Sequence, residues 1–232
     1  MPEPAEPGRA GPTGAAGRPG PSAAADRAAP AAAAGLREQK KTRTRAAIAA
    51  AAAGLFGRDG YPDVTMAQIA AAAGVADQTL YNYFPTKESL VFDRSGDFAA
   101  SLTGALAARP PGAGLADAFA GWLDQFLLSD AARRSVRSAG GMPRLVARSD
   151  GLRRALLDLT HQFATALAAE LATAEGLTGP AAQAIADALL AVFVRTVEHL
   201  GMATSEAALP DIQREARAAI DALRPLTDAR SA

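Results

Sequence analysis

The most restrictive stretch of this chain lies between Thr65 and Pro85, TMAQIAAAAGVADQTLYNYFP. Thr65 followed three residues later by Gln68 is a helix-start signature in which side chain and backbone cap each other. Val64 and Ile69 stand where an apolar pair pins the entering chain. Gly74 suits the left-handed residue that closes a helix. Pro85 stops whatever follows. A helix reading MAQIAAAA and a second one starting near Ala76 or Asp77 must therefore flank a tight glycine turn, which is a helix-turn-helix pattern.

The flanking sequence extends this pattern. Ile48, Ala52, Leu55 and Phe56 recur at the spacing of one helix face, and Gly57, Gly60 and Pro62 end that helix. Thr86 is placed to cap a further helix running to about Ala108, where RPPGAG breaks it. Beyond Gly114, amphipathic helices are expected at about 114–130, 132–139, 150–174, 180–203 and 209–223. No period-2 strand pattern and no internal repeat is visible, and a chain rich in alanine and leucine favours helix. The expected fold is all-α. Residues 1–35 hold Pro, Gly, Ala and balanced charges, with no large apolar side chain except Met1, so a disordered tail is expected there. Residues 36–85 form the helix-turn-helix unit, 86–225 a helical domain, and 226–232 a short tail.

Projected on a wheel at about 100° per residue, Asp77, Gln78, Thr79, Tyr81 and Asn82 share one arc. Leu80, Tyr83 and Phe84 fall on the other. Leu80 and Phe84 should plug the small core with Val75 and Ile69, with Tyr83 at its edge. Amide, hydroxyl and phenol groups on one exposed helix face suit phosphates and base edges in a major groove. The chain of 232 residues has zero net charge, so any basic footprint must be local. Arg37, Lys40, Lys41, Arg43 and Arg45 supply one against the single acid Glu38. A charge run is ordinarily a solvated face; beside a DNA-reading helix it favours phosphate or minor-groove contact.

The stretch from Gly35 to Leu90, with T-x-x-x-I-A-x-x-A-G-V-x-x-x-T-L-Y-x-Y-F-x-x-K-E at its centre, resembles the N-terminal domain of the TetR/AcrR family of bacterial regulators. The resemblance implies a DNA-binding domain over roughly residues 35–95. It places Thr65 within reach of a phosphate, turns Gln78, Thr79, Tyr81 and Asn82 toward DNA, and matches Lys87 to a family lysine that contacts the phosphate backbone. Two positions depart from the pattern. Ala76 stands where a serine cap is frequent, and Asp77 where a basic residue is common. Asp77 either caps its helix or accepts from a cytosine amine.

For the remainder the resemblance implies a helical domain that binds a small effector and forms a homodimer through its last two long helices. The chain would then be a repressor on an inverted-repeat operator. The alternative is an activator or architectural protein without an effector. Phe98, Phe119, Trp122, Phe126, Met142, His161, Phe163 and Phe193 are candidates for an effector pocket, although each also suits a plain core. Trp122 and His161 would need polar partners if buried. Leu152, Leu156, Leu159, Phe163 and Leu167 mark one side of the 150–174 helix, and Leu157, Ala164 and Ala168 another. That helix should be central.

Other chemistries find little support. No cysteine is present, which excludes disulfides and thiolate metal sites. His161 and His199 form no metal-ligand pair, and no nucleophile motif is visible. Neither an enzyme nor a metal or cofactor is expected. The N-terminus lacks an apolar signal segment, and the longest strongly apolar run, Ala188–Val194, falls far short of the ~20 residues that span a bilayer. A cytoplasmic protein without a membrane partner is expected.

Overall fold

The computed structural model describes residues 23–227. Helices follow one another as α1 (Ala23–Asp59), α2 (Met66–Ala73), α3 (Asp77–Tyr83), α4 (Lys87–Val91), α5 (Ser95–Ala107), α6 (Leu115–Leu128), α7 (Asp130–Arg137), α8 (Met142–Ala147), α9 (Asp150–Glu175), α10 (Gly179–Met202) and α11 (Leu209–Thr227), with a 3-10 turn at Glu206–Ala208. No strand occurs among the described residues, so the fold is all-α. Two compact units divide the chain, Met1–Thr44 and Arg45–Ala232. In the first, α1 begins at Ala23, inside the segment expected to be a tail; residues 1–22 and 228–232 lie outside the described residues. Arg37, Lys40, Lys41 and Arg43 are exposed there.

The second unit carries the helix-turn-helix. Thr65 caps α2: its hydroxyl accepts from the Gln68 amide, and Gln68 Oε1 accepts from the Thr65 amide at 2.7 Å. Val64 and Ile69 are buried, as a staple requires. Gly74 closes α2 in the left-handed region, φ 67° and ψ 34°. Ala76 heads α3 without a side-chain cap. Ile48, Ala52, Phe56, Leu80 and Phe84 fill the core beneath.

Three expectations need correction. The helix from Thr86 does not reach Ala108 unbroken. It stops at Val91, turns through Phe92–Arg94 and restarts as α5. Asp93, Ser95 and Gly96 have low helix propensity, and the Asp93 carboxylate is held by Arg45 outside the helix. GGMP is more than a break, because Met142 and Pro143 open α8, where a proline in the first turn costs nothing. On α9, Leu157 does not join the core and stays half exposed, while Leu152, Leu156, Ala164, Leu167 and Ala168 are buried.

The larger helical layer is built on α10, which packs against α9, α8 and α11, while α11 also lies on α6. By length and composition α10 is apolar enough to cross a membrane, contrary to the reading of its seven-residue core alone. Half of its most apolar window is buried against the other helices, with Ile185, Leu189, Phe193 and Leu200 facing inward.

Close backbone approach joins the two parts of this unit. A Cβ on Gly140 would run into the carbonyl oxygen of Ala53, and one on Gly57 would lie 2.9 Å from the Gly140 amide nitrogen. The turn before α8 therefore sits directly on α1. Gly140→Ala should destabilise the protein by about 2 kcal/mol or more, since backbone must move to admit the methyl. Gly54→Ala, on the same helix with nothing within 4 Å of the added carbon, should instead stabilise it by about 0.5–1 kcal/mol. Thermal unfolding of the two variants beside the parent checks both signs.

Candidate nucleic-acid interface and effector cavity

The exposed face of α3 is as the wheel places it. Gln78, Tyr81 and Asn82 are exposed and Thr79 half-buried, while Leu80 and Phe84 are fully buried and Tyr83 sits at the edge. Gln78 Nε2 donates to Asn82 Oδ1 at 3.1 Å, one turn on. The two amides thus orient each other, leaving the Gln78 oxygen and the Asn82 nitrogen outward. Tyr81 is 46% exposed, a large ring with no apolar burial to explain it. Thr65 is exposed at the head of α2, its hydroxyl already engaged with Gln68.

Two cations expected on phosphate are held within the protein. The Lys87 ammonium donates to the carbonyls of Tyr61 at 2.8 Å, Val64 at 3.0 Å and Pro62 at 3.3 Å. An ammonium has three protons, so all are taken. Its nitrogen also lies 4.4 Å from the centre of the Tyr61 ring. Arg45 donates through Nε to Asp93 Oδ1 at 2.7 Å and through Nη1 to the Tyr83 carbonyl at 3.2 Å, over the face of Phe84. Lys87 therefore clamps the α1–α2 connection to α4, and Arg45 ties the end of α3 to the turn before α5. Arg43 is exposed, in the unit that ends at Thr44.

Sequence reasoning missed the partners in these clamps. Tyr61 donates its phenol proton to Glu88 Oε1 at 2.9 Å. Burial first, and then this bond to a carboxylate, push the phenol well above its usual range. Glu88 is held below the ordinary carboxylate value, chiefly by its own backbone N–H, with burial opposing and Tyr61 assisting. Neither Tyr61 nor Asp93 belongs to a local pattern that points at its partner.

A cavity of about 730 Å³ opens beside α5, α6 and α9. Phe98, Trp122, Phe126, Met142, Phe163 and Phe193 line it, as the aromatic inventory suggested. Phe119 does not; it is fully buried, with its ring 5.5 Å from Trp122. His161 does not either, being exposed on the outer face of α9. Trp122 finds its polar partner on the same wall, donating its indole N–H to Ser101 Oγ at 3.0 Å. Ala49, Ala53 and Phe56 of α1 and Asp93 of the turn before α5 are also on the wall. The cavity therefore touches the helix and the turn that frame the helix-turn-helix.

Residues 48–93 match the family model described as bacterial regulatory proteins, tetR family. The HTH-type transcriptional regulator TcmR of Streptomyces glaucescens is 31% identical over 147 residues, covering 62% of this chain and 65% of TcmR. The match thus spans slightly less than two thirds of that relative. Among solved structures, Salmonella enterica GusR aligns with a TM-score of 0.49 at 21% identity, over 78% of this chain and 95% of its own. Thermus thermophilus FadR, described as a TetR family transcriptional repressor in complex with lauroyl-CoA, aligns at 0.43 and 18%, over 78% and 92%.

Removing the Lys87 ammonium strands three carbonyls, so Lys87→Met should cost about 2 kcal/mol, measured by denaturant unfolding. Because the Glu88 carboxyl lies below its unfolded value, its contribution is complete above the ordinary carboxylate range and is lost as pH falls through its folded value. Glu88→Gln should therefore be less stable than the parent at neutral pH and converge on it in acid.

Proposed function

We propose that this chain is a regulator of the TetR family, a cytoplasmic, DNA-binding transcriptional repressor whose helix-turn-helix carries the family pattern over residues 48–93. It acts as a homodimer on an inverted-repeat operator and leaves DNA when a small molecule fills its cavity. The observation that carries this reading is the face of α3, where Gln78, Thr79, Tyr81 and Asn82 share one side of a helix whose other side is locked into the core. Amide groups in this position meet adenine edges, and the phenol and hydroxyl meet phosphates. Arg43 and Thr65 add backbone contacts. Arg45 and Lys87 act first as braces for the reading helix. The effector part of the reading is supported by the cavity, whose volume suits a drug-sized ligand, and which an architectural protein would have no use for.

Dimerisation is assigned to α10 and α11. Ala184, Ala191 and Met202 on α10, and Ala218 and Ala222 on α11, are exposed. The alanines among them permit close helix approach. Sedimentation at micromolar concentration should give a dimer, and a monomer there would remove this assignment.

Operator binding tests the rest. Using inverted repeats from the gene's own locus, Gln78→Ala and Asn82→Ala should each cost about 1–3 kcal/mol in binding and relax base preference at their positions. Because these amides orient each other, the double variant should lose less than the sum. Arg43→Ala should reduce the salt slope of log affinity by about 1.8, one phosphate contact being lost from each subunit of the dimer. Lys87→Met should leave that slope unchanged, since its ammonium is occupied by carbonyls. An unchanged base preference in both amide variants would refute α3 as the reading helix.

A further inference from the structure

Asp77 is the one residue on the exposed arc of α3 with no part in the reading above. It is the only charged side chain in α2 and α3, and no lysine or arginine occurs between Asp59 and Thr86. It is exposed, as are Gln78, Tyr81 and Asn82 on the same arc. It does not cap its helix: α3 is headed by Ala76, with no side-chain cap bond. Among the described residues no side chain pairs with its carboxylate. Lys87 is taken up by three carbonyls, and Arg45 by Asp93 and the Tyr83 carbonyl, so neither turns a donor toward it. An acid in a first helical turn stabilises the helix modestly. That accounts for a charge at this place and says nothing about DNA.

A carboxylate on a face that enters the major groove loses water and meets mostly acceptors. Phosphate oxygens accept, and so do guanine N7 and O6, adenine N7 and thymine O4. Only the amines on cytosine N4 and adenine N6 donate. The adenine amine stands between two acceptors, its own N7 and the thymine O4 across the pair. The cytosine amine has an acceptor on one side only, the guanine O6. An anion therefore sits best on cytosine, where it gains a charge-assisted hydrogen bond. On other base pairs its charge is left without a partner, beside phosphates that repel it. Gln78 and Asn82 lack this second property. Over a wrong base their neutral amides lose a bond, whereas Asp77 adds a repulsion.

We propose that Asp77 is a specificity-determining residue, which accepts from the N4 amine of one cytosine in each operator half-site and disfavours DNA without a cytosine there. This rests on α3 being the reading helix. The full chain is mixed with a pool of randomised duplexes, and the bound sequences are recovered and read. The parent should recover inverted repeats with cytosine at one fixed position of each half-site. Asp77→Asn should move the preference at that position alone toward adenine, whose N6 and N7 suit an amide, and Asp77→Ala should leave it open. Affinity is then measured for the recovered site and for an alternating A·T duplex, which holds no cytosine. Asp77→Ala should bind the recovered site at least about fivefold more weakly. It should bind the A·T duplex at least about threefold more tightly, because a like charge has gone. Thermal unfolding beside the parent checks that these exposed substitutions leave the fold in place. A role in helix stability alone would lower the melting temperature and leave base preference and A·T affinity unchanged, and that result overturns the proposal. So does equal tightening on both DNAs, which makes Asp77 a general repeller, and so does a parent site without a fixed cytosine. Gln78→Ala separates premise from inference. If it alters base preference and the Asp77 variants do not, α3 reads DNA and only the role of Asp77 fails. If neither does, or the parent recovers no common site, α3 is not the reading helix and the proposal falls with it.

Discussion

Everything in the larger unit depends on the contact between two stretches of bare backbone. Gly140 meets Ala53 and Gly57 of α1 with no side chain between them. Because of that contact, α1 has two jobs. Its Ile48, Ala52 and Leu55 close the core of the helix-turn-helix, and its Ala49, Ala53 and Phe56 form part of the cavity wall. A larger side chain at Gly140 would part the turn from the helix along that seam. A second close approach acts at the other end, where a Cβ on Gly201 would strike the carbonyl of Pro143, so α8 lies tight on α10 while the turn before it lies on α1.

Charged groups then fix what packing leaves loose. α2, α3 and α4 are short, at 8, 7 and 5 residues, and helices of this length are marginal alone. Their orientation is set by caps at Thr65 and Thr86, by Lys87 on three carbonyls, and by Arg45 on Asp93 and the Tyr83 carbonyl. Exposed ion pairs contribute little to stability in general. These differ because the partners include backbone carbonyls that have no helical hydrogen bond of their own, and because each cation also lies over a ring.

What the sequence made legible follows from the range of the interactions. Caps, the glycine turn and the amphipathic face of α3 are set within about ten residues of chain, and all were readable from spacing. The aromatic side chains of the cavity were readable as a set, because rings in an aromatic-poor chain must cluster to be buried. Which of them face the space was not. Phe119 and His161 lie on helices that also supply lining residues, but on other faces, and only the packing of α6 and α9 decides that. Arg45 and Lys87 were recognisable as important cations, yet their partners stand 48 and about 25 residues away in the chain, with no local pattern to announce them. The interruption at Phe92–Arg94 was hidden for the same reason, since the distant Arg45 holds Asp93 there.

That interruption has a consequence for how such a protein can diversify. A continuous helix from Lys87 to Ala107 would lock the rotational phase of the cavity wall to that of the reading head, so that any change in one would have to be matched in the other. The turn at Phe92–Arg94 uncouples the phase of α4 from that of α5 and leaves the Arg45–Asp93 bracket as a discrete link across it. The wall from α5 onward is thereby free to drift toward new shapes while the geometry of the reading head is inherited intact. The two halves can be under separate selection or remodelled in descent, provided that this bracket and the contact of Gly140 with α1 are both kept.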